Sequence, residues 1–169
     1  MLKLDQILVA VDFSDTSGDA VRYAKELGRP YDSRIHLLHV VPDPLRQPWA
    51  VEAPGLDYPA LAQQWRDEAD AGLEALRQET GLAPERTVLA VASGAAHTAI
   101  IEYAKDHNID LIVMGTHGHG PVVHLLLGSV AEKVVRQATC PVLVVPHRAV
   151  REKHSPAEKT KARPVKATT

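Results

Sequence analysis

The stretch Asp110–Gly120, DLIVMGTHGHG, decides the fold because a short apolar run breaks directly into a glycine-rich turn. Nine residues separate Gly118 from Gly128-Ser129, which opens a segment with helical periodicity. Glycines let the main chain approach a ligand closely and adopt positive φ. The free N–H groups and the dipole at a helix start attract anions. This order of strand, glycine turn and helix start predicts a phosphate pocket in an α/β protein.

Other apolar runs extend this pattern along the chain. Residues 6–11 (QILVAV), 35–41 (IHLLHVV) and 141–146 (PVLVVP) are nearly continuous in apolar side chains, as strands buried on both faces of a sheet are. A weaker strand is predicted at 86–91, and helical spacing fills the intervals. Five strands alternating with four helices predict a single doubly wound α/β domain. Its parallel sheet is expected to have helices on both faces and right-handed crossovers.

Local signals set some of the element boundaries. Ser14 or Thr16 is suited to cap the first helix, and Gly28 is expected to end it. Residues 42–59 contain five prolines and no clear periodicity. We therefore predict a long irregular loop there, of the kind that is commonly functional or mobile.

Size and composition are those of an ordinary globular domain. The chain has 169 residues, of which 45% are hydrophobic and 24% charged. No apolar stretch approaches the ~18–20 residues that span a bilayer, and the N-terminus lacks a signal-peptide pattern. With Cys140 as its one cysteine, the chain cannot form an intramolecular disulfide, so we expect the reducing cytoplasm as its location.

The charge is distributed unevenly. Residues 147–169 hold seven Lys or Arg against two Glu, a net charge of +5, which leaves −7 on residues 1–146. An acidic body argues against a general nucleic-acid binder. We expect a folded unit over 1–147 and a basic tail without a fixed fold over 148–169. The tail is interpreted as a solubilising extension, with contact to an acidic partner as the alternative.

The glycine pattern is more specific than a lone glycine pair. Gly115-x2-Gly118-x9-Gly128-Ser129 has a strand before it and a helix after it. It is neither the dinucleotide fingerprint, which needs a third glycine at short spacing, nor a Walker A loop, which needs a Lys after the glycines. The alternative is that the glycines only allow a tight connection to close.

These residues resemble the universal stress protein family, specifically its ATP-binding branch. The resemblance covers about residues 5–146 and is strongest at 9–14 (VAVDFS), 37–40 (LLHV), 112–118 (IVMGTHG), 128–134 (GSVAEKV) and 140–145 (CPVLVV). The family's nucleotide signature, Gly-x2-Gly-x9-Gly-Ser/Thr, matches at every position. The resemblance implies the sheet order 3-2-1-4-5, with a ligand crevice where that order reverses between the first and fourth strands.

The resemblance also implies residue roles for ATP or another adenine nucleotide. The main chain of Val40 would bond the adenine edge, Val11 and Met114 would form apolar walls, and Asp12 would contact the base or ribose. Gly115 would lie against the ribose. The phosphates would be wrapped by Gly118, Gly128 and Ser129, followed by Val130. Mg²⁺ would be held mainly by phosphate oxygens and water.

Histidines in the glycine turn admit two interpretations. His117 and His119, with His124 nearby, could supply imidazole ligands to a metal. However, no neighbouring Cys or carboxylate completes a set, so we expect no protein-bound metal. His117 and His119 are instead expected to donate hydrogen bonds close to the phosphates.

Binding without catalysis is the function that the sequence favours. The 115–129 loop contains no Lys or Arg to neutralise a transferring phosphoryl group. We therefore expect a nucleotide-dependent regulator or interaction module in the stress response, with an unidentified protein partner and no catalytic residues. The alternatives are a slow ATP hydrolase in which Asp12 orients water, and an interaction module that binds no nucleotide.

The last strand suggests a mode of assembly. If the fifth strand ends the sheet, Val142–Val145 is an apolar edge that needs cover. Pairing with the same strand of a second copy would bury it around a two-fold axis. Since the resembled family commonly dimerises in this way, a homodimer is expected.

Overall fold

The computed structural model describes residues 3–52, 55–116 and 127–146, and the expected tail lies outside them. Their regular elements alternate between strand and helix along the chain. In order they are β1 Gln6–Val11, α1 Asp15–Gly28, β2 Arg34–Val41, α2 Tyr58–Glu79, β3 Thr87–Ser93, α3 Ala96–Asp106, β4 Leu111–Gly115, α4 Ser129–Gln137 and β5 Val142–Val145.

The five strands form one parallel sheet in the order β3-β2-β1-β4-β5, which confirms the expected fold. Alternate residues of β1 point to opposite faces, so Ile7 and Val9 belong to one core and Leu8 to the other. The first core includes apolar residues of α1 and α2, and the second includes those of α3 and α4. The sheet is therefore covered by two helices on each face.

The proline-rich segment is more ordered than the sequence suggests. It contains short 3-10 helices at Pro44–Arg46 and Pro48–Glu52. Helix α2 begins at Tyr58, so Pro59 lies in its first turn and not in a loop. Proline is tolerated there because its missing N–H would have no partner within the helix. The prediction of an irregular loop over the whole of 42–59 was therefore wrong at its C-terminal end.

Helix α1 begins and ends where the sequence predicts, but its last residue, Gly28, is glycine for a different reason than expected. Ser14 is the N-cap, and its Oγ accepts a hydrogen bond from the Ser17 N–H at 3.2 Å. Gly28 ends the helix in right-handed backbone, so it is not a left-handed cap. A Cβ on Gly28 would lie 2.9 Å from the Cβ of Ser33 and 3.1 Å from Cδ1 of Ile7. Glycine is needed there for close packing.

A buried histidine lies near the amino ends of the central strands. His36 is 5% exposed, with Nδ1 2.9 Å from the Tyr103 hydroxyl and Nε2 2.8 Å from Gln6 Oε1. Burial, and next the nearby His107 and Arg34, lower the pKa of His36 from 6.5 to about 4. The neutral ring donates from Nε2 to Gln6 and accepts at Nδ1 from the tyrosine hydroxyl, so His36 is a core residue with both ring nitrogens hydrogen-bonded.

Candidate functional site

A cavity of about 390 Å³ opens at the carboxyl ends of the central strands, where the strand order reverses between β1 and β4. Open α/β sheets bind their ligands at this position. The described residues around it come from β1, β2 and β4, from the first turns of α1 and α3, and from the start of α4. They are Ala10, Val11, Asp12, Ser17, Leu38, His39, Val40, Ala96, Ile100, Met114, Gly115, Thr116, Gly128, Ser129, Val130 and Ala131.

The residues that line the cavity include an apolar set and a polar set. The apolar set consists of side chains of the α3/α4 core, among them Leu38, Ile100 and Met114, which are all almost fully buried. The polar set includes Asp12 and Ser129. A molecule with a flat apolar portion and a charged portion matches this lining.

The start of α4 has main-chain N–H donors that no N-cap side chain accepts from. Gly128 is the N-cap and makes no side-chain cap bond, while Ser129, Val130 and Ala131 line the cavity. The first N–H groups of a helix have no acceptor within that helix. The Gly128 N–H donates to the Thr116 carbonyl at 2.7 Å, which fixes the helix start against the end of β4. The arrangement suits an anion.

Asp12 is oriented by the turn that follows β1. Its Oδ1 accepts hydrogen bonds from the Ser14 N–H at 3.1 Å and from the Ser14 hydroxyl at 2.6 Å. The intervening Phe13 has a φ of 63°, in the left-handed region. Beside this turn, His39 Nδ1 donates to the Val11 carbonyl at 2.8 Å. The carboxylate therefore has a defined direction at the mouth of the cavity.

Gly115 is fixed by packing. A Cβ at this position would lie 2.6 Å from Cγ2 and 3.1 Å from Cβ of Thr16, in the first turn of α1. Such distances are far inside normal contact, so a side chain at 115 would push α1 away from β4. The close approach of strand and helix is thus one reason for glycine here, whatever the ligand.

The structure brings together most of the residues that the sequence nominates. Around the one cavity lie Val11, Asp12, Val40, Met114, Gly115, Gly128, Ser129 and Val130. His117, Gly118 and His119, together with His124, lie outside the described residues. Sequence reasoning missed Ser17, His39 and Thr116. Each lies within two residues of a strand end or a helix start, and that position is the signal that could have found them.

Two further features of the described residues bear on the class of site. Among residues 3–52, 55–116 and 127–146, no group of three His, Cys, Asp or Glu side chains could hold a metal ion. Within the same ranges, no helix is both long and apolar enough to cross a membrane.

Fold and cavity define a doubly wound α/β domain with a ligand crevice at its topological switch point. The chain belongs to the universal stress protein family, whose sequence model matches residues 3–146. It is 32% identical over 149 residues to universal stress protein MJ0531 of Methanocaldococcus jannaschii, covering 83% of this chain and 81% of that protein. It is also 37% identical over 142 residues to a universal stress protein of Thermus aquaticus, covering 82% and 96%.

Solved structures agree with this assignment. The universal stress protein UspA of Lactobacillus plantarum superposes with a TM-score of 0.71 at 26% identity, covering 85% of this chain and 98% of that one. Two more distant structures share the fold. One is a universal stress protein in complex with cAMP (23% identity, TM-score 0.54, 83% and 97% covered). The other is the Archaeoglobus fulgidus protein in complex with dAMP (20% identity, TM-score 0.57, 86% and 99% covered).

Proposed function

We propose that this protein binds an adenine nucleotide, with ATP as the first candidate, and acts as a nucleotide-dependent regulator or interaction module in the stress response. The observation that carries the proposal is that the start of α4, which has no side-chain cap, lines the same cavity as several apolar side chains. A volume of about 390 Å³ is in the usual range for small-molecule sites, roughly 300–1,000 Å³. The cAMP and dAMP complexes of two relatives by fold support the adenine assignment.

The lining of the cavity suggests how the nucleotide would lie. The base would lie against apolar residues, between Val11 and Met114, with its polar edge on the main chain of Val40. The ribose would lie near Asp12 and Gly115. The phosphates would meet the N–H groups at Ser129 and the residues after it, with His117, Gly118 and His119 as further candidates.

Magnesium would enter with the phosphates. Mg²⁺ keeps several waters and needs few protein ligands when phosphate oxygens are present. Asp12, the only carboxylate among the described residues that line the cavity, has the hard oxygen donors that suit this ion. The chemistry supplied by the ion would be charge neutralisation of the phosphates.

Binding is proposed in preference to turnover. The described lining of the cavity contains no Lys or Arg, and phosphoryl transfer depends on electrostatic stabilisation of the transferring group. Slow hydrolysis remains the second candidate because the Asp12 carboxylate has a defined orientation there. Retained binding with turnover abolished in Asp12→Ala would favour hydrolysis.

A charge substitution at Ser129 tests nucleotide binding. Ser129→Asp adds a negative charge to the first turn of α4, which favours the helix by about 0.3–1 kcal/mol. One charge at ~5 Å from a phosphate and an effective dielectric of ~20 costs about 3 kcal/mol per unit of phosphate charge. Since salt screens this exposed position, we expect affinity for Mg-ATP to fall by at least roughly tenfold.

Ser129→Asn is the matched control, because it has nearly the same shape without the charge. Isothermal titration calorimetry should show Mg-ATP binding by the wild type and Ser129→Asn, and a marked loss with Ser129→Asp. Thermal unfolding should show that Ser129→Asp is at least as stable as the wild type. No binding by the wild type, or equal affinity of all three proteins, would contradict the proposal.

A homodimer through β5 is the second part of the proposal. β5 is the last strand of the sheet, and the carbonyls of Pro141 and Val145 accept from Ile112 and Thr116 beside β4. Main-chain groups alternate in direction along a strand. The N–H and the carbonyl of Val144 therefore point away from β4, to the open edge of the sheet.

Val144→Pro would remove an outward N–H without breaking a bond to β4, whereas Val144→Thr keeps it. Light scattering after size exclusion should give a dimer for the wild type and Val144→Thr, and a monomer for Val144→Pro. A monomeric wild type or a dimeric proline variant would contradict this assembly.

A further inference from the structure

Phe13 has a backbone conformation that its residue type rarely adopts. Its φ of 63° is in the left-handed region, which is an outlier for a bulky side chain. The side chain is also 40% exposed, so burial alone does not explain an aromatic residue here. Strained residues that a structure maintains are concentrated at functional sites.

The aromatic ring is held by residues of two other elements. The His39 ring lies 4.4 Å from it between centroids, and His39 is itself anchored through Nδ1 to the Val11 carbonyl. The ring also lies against Gly72 of α2, where a Cβ would come within 2.9 Å of two Phe13 ring carbons. The missing side chain of Gly72 therefore makes the space for the ring.

The residues on either side of Phe13 are bonded to each other. Both the N–H and the hydroxyl of Ser14 donate to Oδ1 of Asp12. The backbone of Phe13 thus sets the geometry of this turn, and with it the direction of the Asp12 carboxylate. Asp12 lines the cavity, whereas Phe13 lines the separate groove between α1 and α2.

We propose that Phe13, held by His39 and Gly72, is a positioning residue that sets the Asp12 carboxylate for contact with the nucleotide. The inference rests on the proposed nucleotide function. Phe13 acts through Asp12, with its ring outside the ligand cavity, so its substitution affects binding only while Asp12 is present.

A double-mutant cycle on nucleotide affinity tests this dependence. Phe13→Ala should weaken Mg-ATP binding roughly tenfold, the loss expected when one hydrogen bond to a charged group is misdirected. In an Asp12→Asn background, Phe13→Ala should cause no further loss. Phe13→Tyr, which keeps the ring, should bind as the wild type does. Equal losses in the two backgrounds would overturn the proposal.

Two further variants separate this role from general damage to the fold. Tyr31→Ala removes an aromatic ring of similar exposure (43%) on the short helix after α1, and should leave affinity unchanged. Gly72→Ala keeps Phe13 but displaces its ring, and should also weaken binding. Thermal unfolding identifies any variant that does not fold. If Phe13→Ala does not fold, the nucleotide affinity of Gly72→Ala is the test. Unchanged affinity in a folded Gly72→Ala would count against the proposal.

A measurement without nucleotide keeps this inference separate from the proposed function. The Ser14 N–H is bonded to Asp12 Oδ1, so Phe13→Ala should speed its hydrogen exchange, while Phe13→Tyr should not. If the wild type binds no nucleotide, the proposed function fails, and the exchange rate still reports whether Phe13 orients Asp12. Unchanged Ser14 exchange in Phe13→Ala would overturn the positioning role.

Discussion

Replacing Gly115 by alanine isolates the packing between β4 and α1. The new Cβ would lie 2.6 Å from Cγ2 of Thr16, about 1 Å inside the optimal carbon–carbon separation of ~3.5–4.0 Å. Thr16 is 5% exposed and β-branched, so its side chain has little freedom to move away. Overpacking of this kind costs about 1–3 kcal/mol, and we expect the upper half of that range.

Thr16→Ser is the second substitution of a double-mutant cycle, because it deletes Cγ2, the Thr16 atom nearest to the new Cβ at position 115. The nearest remaining Thr16 atom would be Cβ at 3.1 Å, a contact that a shift of a few tenths of an ångström relieves. Gly115→Ala should therefore cost less in the Thr16→Ser background, with a coupling of about 1 kcal/mol or more. Urea unfolding of the four proteins measures this directly.

Gly18→Ala is the control for glycine replacement as such. Its Cβ would meet nothing closer than a guanidinium nitrogen of Arg22 at 3.8 Å, and alanine favours a helix interior over glycine by about 0.5–1 kcal/mol. Gly18→Ala should thus stabilise the protein where Gly115→Ala destabilises it. If Gly115→Ala is as stable as the wild type, or costs the same with Ser at position 16, the packing argument is refuted.

Three other measurements follow from the structure. Burial lowers the pKa of His36 from 6.5 to about 4, so the free energy of unfolding should fall by about 3 kcal/mol as the pH drops from 6.5 to 4. Urea unfolding of His36→Gln should show a shallower dependence on pH, and an equal dependence would count against this origin. Arg77→Lys should lower the midpoint of thermal unfolding, since lysine cannot keep the hydrogen bonds to both Glu74 oxygens and to the Leu82 carbonyl. An unchanged midpoint would contradict this. Mg-ATP at ~100 times its dissociation constant should raise the free energy of unfolding by about 2.7 kcal/mol if it binds the folded state; no shift would argue against binding.

Sequence reasoning succeeded where the signal is local or periodic. The continuous apolar character of β1 and β2 predicts strands buried on both faces, and the sheet has them there. Ser14 before a helical pattern predicts an N-cap, because the side chain and the N–H that it accepts from are three residues apart. Gly128-Ser129 likewise marks a helix start. These features depend on neighbours in sequence.

Reasoning from the sequence failed where residues distant along the chain decide the conformation. Nothing near Phe13 in sequence indicates positive φ, since its ring is held by His39 on β2 and by Gly72 on α2. Gly115 is also required by a distant residue, because Thr16 is 99 residues away along the chain. Pro59 was misread because proline marks both loops and first helical turns, and only the course of the following chain separates the two.

The location of His36 has a consequence for how the protein can change. His36 and Val40 are on the same strand, four residues and therefore about 13 Å apart. The expected loss of stability in acid comes from His36, whose pKa is lowered by burial, whereas Val40 lines the ligand cavity. A substitution that adapts the protein to a more acidic surrounding can thus leave ligand recognition untouched, and the reverse also holds. Stability in acid and ligand recognition can therefore evolve independently in descendants of this chain.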